Sequence, residues 1–236
     1  MYFDYYYLVI VMPFVLFSFY ASYKVNSTYK RYSKVAVAGG MSGAEAAMMV
    51  LRQAGIGNVR VERCAGHLTD HFDPRKNTIF LSESVYSGRN AAACGVAAHE
   101  AGHAVQHAVS YVPVRIRTAL VPVTNFGSKL GIILIMIGVV LVALGEIFVY
   151  VAYFGILLFS LTAIFQLVTL PVEFNASHRA MASIHSSGMF ARDEEQGARR
   201  VLTAAAMTYV AALAVSLAQL LRLLIIVAQA SGRRRD

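Results

Sequence analysis

His99, Glu100 and His103 form a His-Glu-x-x-His run. Side chains four residues apart on a helix fall about 40° apart and one turn along the same face. Two imidazoles so placed can bind one Zn²⁺ and leave positions for a further protein ligand and for water. Glu100 adjoins the first imidazole but points to the side. From there a carboxylate can take a proton from metal-activated water and pass it to a leaving amine. Gly102 and the surrounding alanines leave room for a metal. The pattern predicts a zinc metallopeptidase site with His99 and His103 as ligands and Glu100 as general base.

The third ligand separates types of such sites. A metzincin needs Gly and His further along the same helix, and those positions hold Gln106 and Val109. An intramembrane zinc protease sets the motif within a span and pairs it with a later Asp. This helix is too polar to span, and no apolar segment carries an Asp. A glutamate on a later helix remains, and Glu173 in Leu170-Pro171-Val172-Glu173 follows a long apolar stretch. Pro171 suits the first turn of a new helix there. Glu194 and Glu195 are other candidates, in a run that reads as a solvated helix start.

The elements that position these residues are mostly apolar. Hydrophobic residues make up 57% of the 236 and charged residues 14%, too apolar for a soluble domain to bury. Tyr5 to Tyr23 is uncharged and about long enough to span a bilayer, with tyrosines at both ends for the interfacial belt. The basic residues Lys24, Lys30, Arg31 and Lys34 follow it, which predicts an uncleaved anchor with the next region in the cytoplasm. From Leu130 to Leu170 the only charge is Glu146. One helix over that run would be about 60 Å long, twice the ~30 Å hydrocarbon core, so it must fold back near Gly145-Glu146. That hairpin returns Glu173 to the membrane face of His99 and His103. In the apolar run 202–228 the signals conflict: Gln219, Arg222 and the terminal Arg233-Arg234-Arg235 leave open a span or an interfacial helix.

Between the first span and the hairpin, Ser42 and Glu45 read as a capping box, and Gly55 as the end of the helix it starts. Short strands are expected at Val59–Arg63 and Asn77–Ser82, with a loop across His67–Pro74 between them. Asp70 and Asp73 fix that loop. Ala91 to Val109 reads as the motif helix. The expected class is mainly α with a small β-sheet: a zincin-like α+β metalloprotease domain combined with a transmembrane helix bundle. The expected segments are an anchor (1–23), a protease region (24–128), a transmembrane hairpin (129–170), a third-ligand helix and loop (171–201), and a C-terminal hydrophobic helix with a basic tail (202–236).

The net charge of +8 lies beside apolar segments and at the terminus, which suits anionic headgroups; no nucleic-acid motif accompanies it. Cys64 and Cys94 make neither a disulfide framework nor a metal pair and read as buried thiols in a reducing compartment.

The runs HEAGHAVQH, LTDHFDP and PVEFNASHRA together resemble the YugP-type membrane zinc metallopeptidases. More distantly they are similar to the HtpX and CAAX-prenyl-protease gluzincins. The resemblance covers nearly the whole chain. It implies Zn²⁺ held by His99, His103 and Glu173, Glu100 as base, and an edge strand at Asn77–Ser82 on which an extended peptide pairs. Related gluzincins often carry Asp four residues after the ligand Glu, where this chain has Ser177. His71 and His178 are candidates to hydrogen-bond the developing oxyanion. His107 reads either as a partner of the metal histidines or as an interface residue.

The expected activity is endopeptidase cleavage of membrane-associated or unfolded proteins by a multi-pass protein of the cell membrane. The expected partners are a protein or peptide substrate and the lipid bilayer, with a homo-oligomer or a membrane-protein partner also open and nucleic acid excluded. The competing reading is a membrane scaffold or chaperone with a structural zinc. A transporter fits poorly, because the spans lack paired charges and repeated broken helices.

Overall fold

The computed structural model describes residues 5–232; the first four residues with Asp4, and the Arg233–Arg235 tail, lie outside them. The protein is mainly helical with one small sheet. A π-helical turn at Tyr7–Val11 leads into α1 (Met12–Tyr32). There follow α2 (Gly43–Gln53), β1 (Arg60–Cys64), β2 (His71–Asp73), β3 (Thr78–Ser82), α3 (Glu83–Tyr86) and α4 (Ala91–Ala108). Three long helices complete it: α5 (Val112–Val140), α6 (Glu146–Ser187) and α7 (Arg192–Gly232). The chain divides into two compact units.

Among the described residues, one unit comprises 5–20, 115–170 and 208–232. Its core holds Ile135 of α5, Ala152, Ile156 and Phe159 of α6, and Val227 of α7. Glycines let α5 and α6 approach closely. A Cβ on Gly131 would lie 2.7 Å from the Gly155 carbonyl oxygen, and one on Gly138 would lie 2.5 Å from that of Phe148. Small residues at such crossings let helices pack in lipid, where no hydrophobic drive brings them together. Phe126, Met136, Val140 and Leu157 are exposed on its outside. The chain turns between α5 and α6 through a short 3₁₀ segment, Val142–Leu144, and α6 begins at Glu146, so the expected fold-back is present.

Two expectations about helix ends are corrected. Pro171 does not start a new helix: α6 runs through it unbroken from Glu146 to Ser187. Proline removes one backbone bond, and the packed turns on either side carry the helix across. The run 202–228 is the middle of one 41-residue helix that begins at Arg192. The helical stretches Tyr7–Tyr32, Val112–Val140, Glu146–Ser187 and Arg192–Gly232 are each long and apolar enough to cross a membrane.

The other unit comprises residues 21–114 and 171–207. Its core joins Val50 and Leu51 of α2, Ile79 and Leu81 of β3, Ala97, Ala98 and Ala101 of α4, Ile184 of α6 and Val201 of α7. The capping box is present: the Glu45 backbone N–H donates to the Ser42 hydroxyl, and the Glu45 carboxylate accepts from the Ser42 backbone N–H at 2.7 Å. Asn90 caps α4 by accepting from the Ala93 N–H.

The sheet order is β1-β3-β2, with β1 parallel and β2 antiparallel to β3. Two expectations fail here. Residues 71–73 are a strand rather than loop, because the Asp70 carboxylate accepts from both the backbone N–H and the hydroxyl of Ser82 and lays them along β3. Asp73 then closes the turn by accepting from the Arg75 and Lys76 N–H groups. And β3 is not an edge strand: it is central, with Ile79 and Leu81 fully buried. The edge beside α4 belongs to β2.

Candidate metal centre

Helix α4 carries His99 and His103 on one face, and α6 brings Glu173 to them. Both crossings of α4 depend on glycine. A Cβ on Gly102 would lie 2.6 Å from the Ala176 carbonyl oxygen of α6, and one on Gly95 would lie 3.0 Å from the Ala198 Cβ of α7. At Gly102 the two backbones nearly touch, close enough for short side chains to meet across the gap.

They meet at one point. Nε2 of His99 and Nε2 of His103 are 3.1 Å apart, and Oε2 of Glu173 lies 3.3 Å and 3.4 Å from them. Ligands about 2.0–2.1 Å from a tetrahedral Zn²⁺ lie roughly 3.3 Å from one another. All three edges match that spacing, and two imidazoles with a carboxylate are a donor set that zinc favours, so the residues fit the ion. This is the one such three-ligand group among the described residues.

The outer ring nitrogens fix the tautomers. The Gln106 side-chain amide donates to the Val172 carbonyl at 2.7 Å and to Asn175 Oδ1 at 3.0 Å. Its NH₂ group is thereby committed, and its Oε1 faces Nδ1 of His103 at 3.0 Å. Nδ1 of His103 must therefore donate, which turns the Nε2 lone pair toward Glu173 when the ring is neutral. Nδ1 of His99 lies 3.0 Å from the Ser177 hydroxyl, which can accept in the same way. The departure at Ser177 thus keeps an orienting partner for His99, without its charge. Gln106 entered the sequence reading only to exclude one site type. No local signal shows that it serves His103, because its bonds run to α6.

Glu100 is 9% exposed, and its Oε2 accepts from the backbone N–H of Phe72 at 3.1 Å. Burial pushes its carboxyl above the usual range, against the opposing pull of His99 and His103. For His103, burial acts against the charged ring. The hydrogen bond to Glu173 and the charge of Glu100 outweigh it and raise the ring's pKa.

Other predicted residues lie elsewhere. The exposed ring of His71 stacks on Phe80 of β3, and its Nδ1 is 2.8 Å from the Thr69 carbonyl oxygen. Its neighbour Phe72 meets His107 of α4 edge-on, so His71 projects from the opposite face of the sheet. His107 is exposed and packs β2 onto α4. His178 is exposed on α6 about 140° around the helix from Glu173. It lines a cleft of about 380 Å³ between α6 and α7 with Ser177 and Met181. Glu194 is buried as a clamp: one oxygen accepts from the Ala38 N–H at 2.7 Å and the other from the Ala191 N–H at 3.0 Å. Glu195 bonds His185. The Cys94 thiol is buried against the Met41 carbonyl, and burial raises it to about 12.

Comparison with known proteins decides the family. Residues 7–228 match the family described as "putative neutral zinc metallopeptidase". The chain belongs to this family. Its cofactor is accordingly Zn²⁺. Among curated relatives, the "Putative membrane protease YugP" of Bacillus subtilis (strain 168) is 47% identical over 209 residues, 89% of this chain and 91% of the relative. No solved structure matches the chain. The family match spans all three converging side chains and Glu100.

Proposed function

We propose that the protein is a multi-pass membrane endopeptidase with a zincin-like catalytic unit, cleaving peptide bonds of membrane-associated or unfolded proteins. The observation that carries the proposal is the meeting of His99 Nε2, His103 Nε2 and Glu173 Oε2 at zinc spacing, with the Glu100 carboxylate beside them. These three residues would hold the ion. Bound Zn²⁺ supplies Lewis acidity, which polarises a peptide carbonyl and acidifies water. Glu100 accepts the proton of the attacking water and returns it to the departing amine nitrogen. The Phe72 N–H holds the carboxylate in place for both transfers. Ser177 and Gln106 keep the two imidazoles in the orientation and tautomer that present Nε2.

Strand β2 is the edge beside this site, and an extended substrate adding to it would pass next to Glu100. The basic residues after the first apolar stretch support a cytoplasmic catalytic unit. Three protein donors support catalysis over a purely structural zinc, since structural sites are closed by four.

The decisive test is Glu100→Gln in the detergent-solubilised protein. It should keep about one zinc per chain while cleavage of an unfolded protein falls by roughly 10²–10⁴-fold. Cleavage at the wild-type rate would sink the proposal.

A further inference from the structure

Away from the metal, the C-terminal part of α1 and the N-terminal part of α7 enclose a groove of about 570 Å³. Lys24 and Arg31 line it from α1, Arg199 and Arg200 from α7, and its lining includes no acidic residue. Glu195, one turn before Arg199, is taken by His185. Among the described residues none of these four cations joins an ion pair, and Arg31 lies over the Tyr32 ring, 5.6 Å from its centroid. Four exposed cations around one groove give it a positive potential that attracts an anion.

The groove's position in the sequence says which anion. The chain is uncharged from Tyr5 through the first part of α1 to Tyr23, and Lys24 is the first charge after it. Helix α7 is uncharged from Val201 to Leu221, and Arg199 and Arg200 immediately precede that stretch. On both helices the basic residues therefore mark where apolar chain gives way to charged chain, the depth of lipid headgroups. One end of the groove is shut: a Cβ on Gly197 would lie 2.8 Å from the Tyr32 ring, so α1 and α7 touch there. Toward the apolar stretches the wall becomes Ala204 and Met207. A free anion would use only the charged part. A lipid would use both parts, with its phosphate among the cations and an acyl chain along Met207.

We propose that this groove binds the headgroup phosphate of an anionic phospholipid. The proposal rests on the membrane-spanning reading of α1 and α7 and not on the peptidase reading. A cation near a membrane surface adds about fivefold in affinity for anionic lipid, so neutralising two should cost roughly 25-fold.

The test uses the full-length protein in neutral detergent, titrated with phosphatidylglycerol, phosphatidylcholine or inorganic phosphate, and lipid bound to the protein is read by native mass spectrometry. Wild type should take phosphatidylglycerol at least about tenfold more tightly than phosphatidylcholine. Arg31→Gln with Arg200→Gln should lose that preference, whereas Arg75→Gln with Lys76→Gln, removing the same charge from a distant turn, should keep it. Helical circular dichroism checks that the variants are folded, and Lys24→Gln alone, at an exposed position, should give about a fivefold loss if the pair is not. Equal binding of both lipids, equal losses in the two charge pairs, or saturation by inorganic phosphate that excludes no lipid would each overturn the proposal.

Discussion

The Ser177 hydroxyl lies 3.0 Å from Nδ1 of His99, one helical turn beyond Glu173 on the same helix. An uncharged group thus holds one metal-facing imidazole, and the Gln106 amide holds the other. Such partners typically account for 10–100-fold in metal affinity. Ser177→Ala should weaken zinc binding about tenfold, and Ser177→Asp should restore or exceed wild type. Competition against a chelating indicator measures both, and wild-type affinity in Ser177→Ala would remove the orienting role.

Glu173 and Glu194 are both buried glutamates, with different work. Glu173→Ala should abolish zinc retention in folded protein. Glu194→Ala should keep the zinc but lower stability by about 1–3 kcal/mol, because the Ala38 and Ala191 N–H groups lose their acceptor. Metal content per chain, with thermal unfolding in detergent, separates the two. Full zinc in Glu173→Ala would overturn its assignment as a ligand.

The closest approach of α4 and α6 predicts an asymmetry between two glycines. Gly102→Ala drives a methyl into the Ala176 backbone, which cannot rotate away, and should cost on the order of 1–3 kcal/mol or more and spread the metal donors. Gly95→Ala meets the Ala198 methyl at a longer distance and should be milder. Equal losses of stability and zinc affinity in the two variants would contradict the crossing geometry.

The capping box makes a pH prediction. The Ser42 backbone N–H and hydroxyl hold the Glu45 carboxyl below its ordinary value of 4.5. A carboxyl depressed in the folded state stabilises the fold above its unfolded pKa, and that contribution disappears as pH falls through the folded value. Glu45→Gln, which removes the titrating group itself, should therefore be less stable near neutrality and show a flatter decline below pH 4.5. Unfolding midpoints across that range would show it, and an unchanged acid decline would assign the box no part in acid sensitivity.

Much of the site and of the helical framework was legible in the sequence, because both obey short-range rules. The i, i+4 spacing sets His99 and His103 on one face, the Ser42–Glu45 cap starts α2, and an apolar run too long for one span must turn near Gly145. Chain rules of this kind need only the neighbouring residues. The tertiary structure decided what depends on distant pairs. Asp70 reaching Ser82 makes residues 71–73 a strand and gives the sheet edge to β2, not β3. Gln106, read only as the absence of a ligand, serves His103 because α6 offers it Val172 and Asn175. Glu173 stands out in the sequence by following the hairpin, but neither its distance from the imidazoles nor the burial of Glu194 can be read from letters. What separates them is the Gly102–Ala176 crossing, which brings one carboxylate to the imidazoles, and the Ala38 amide, which captures the other. Spacing along one helix can specify two donors, but a third from another helix requires the packed interface that fixes its distance.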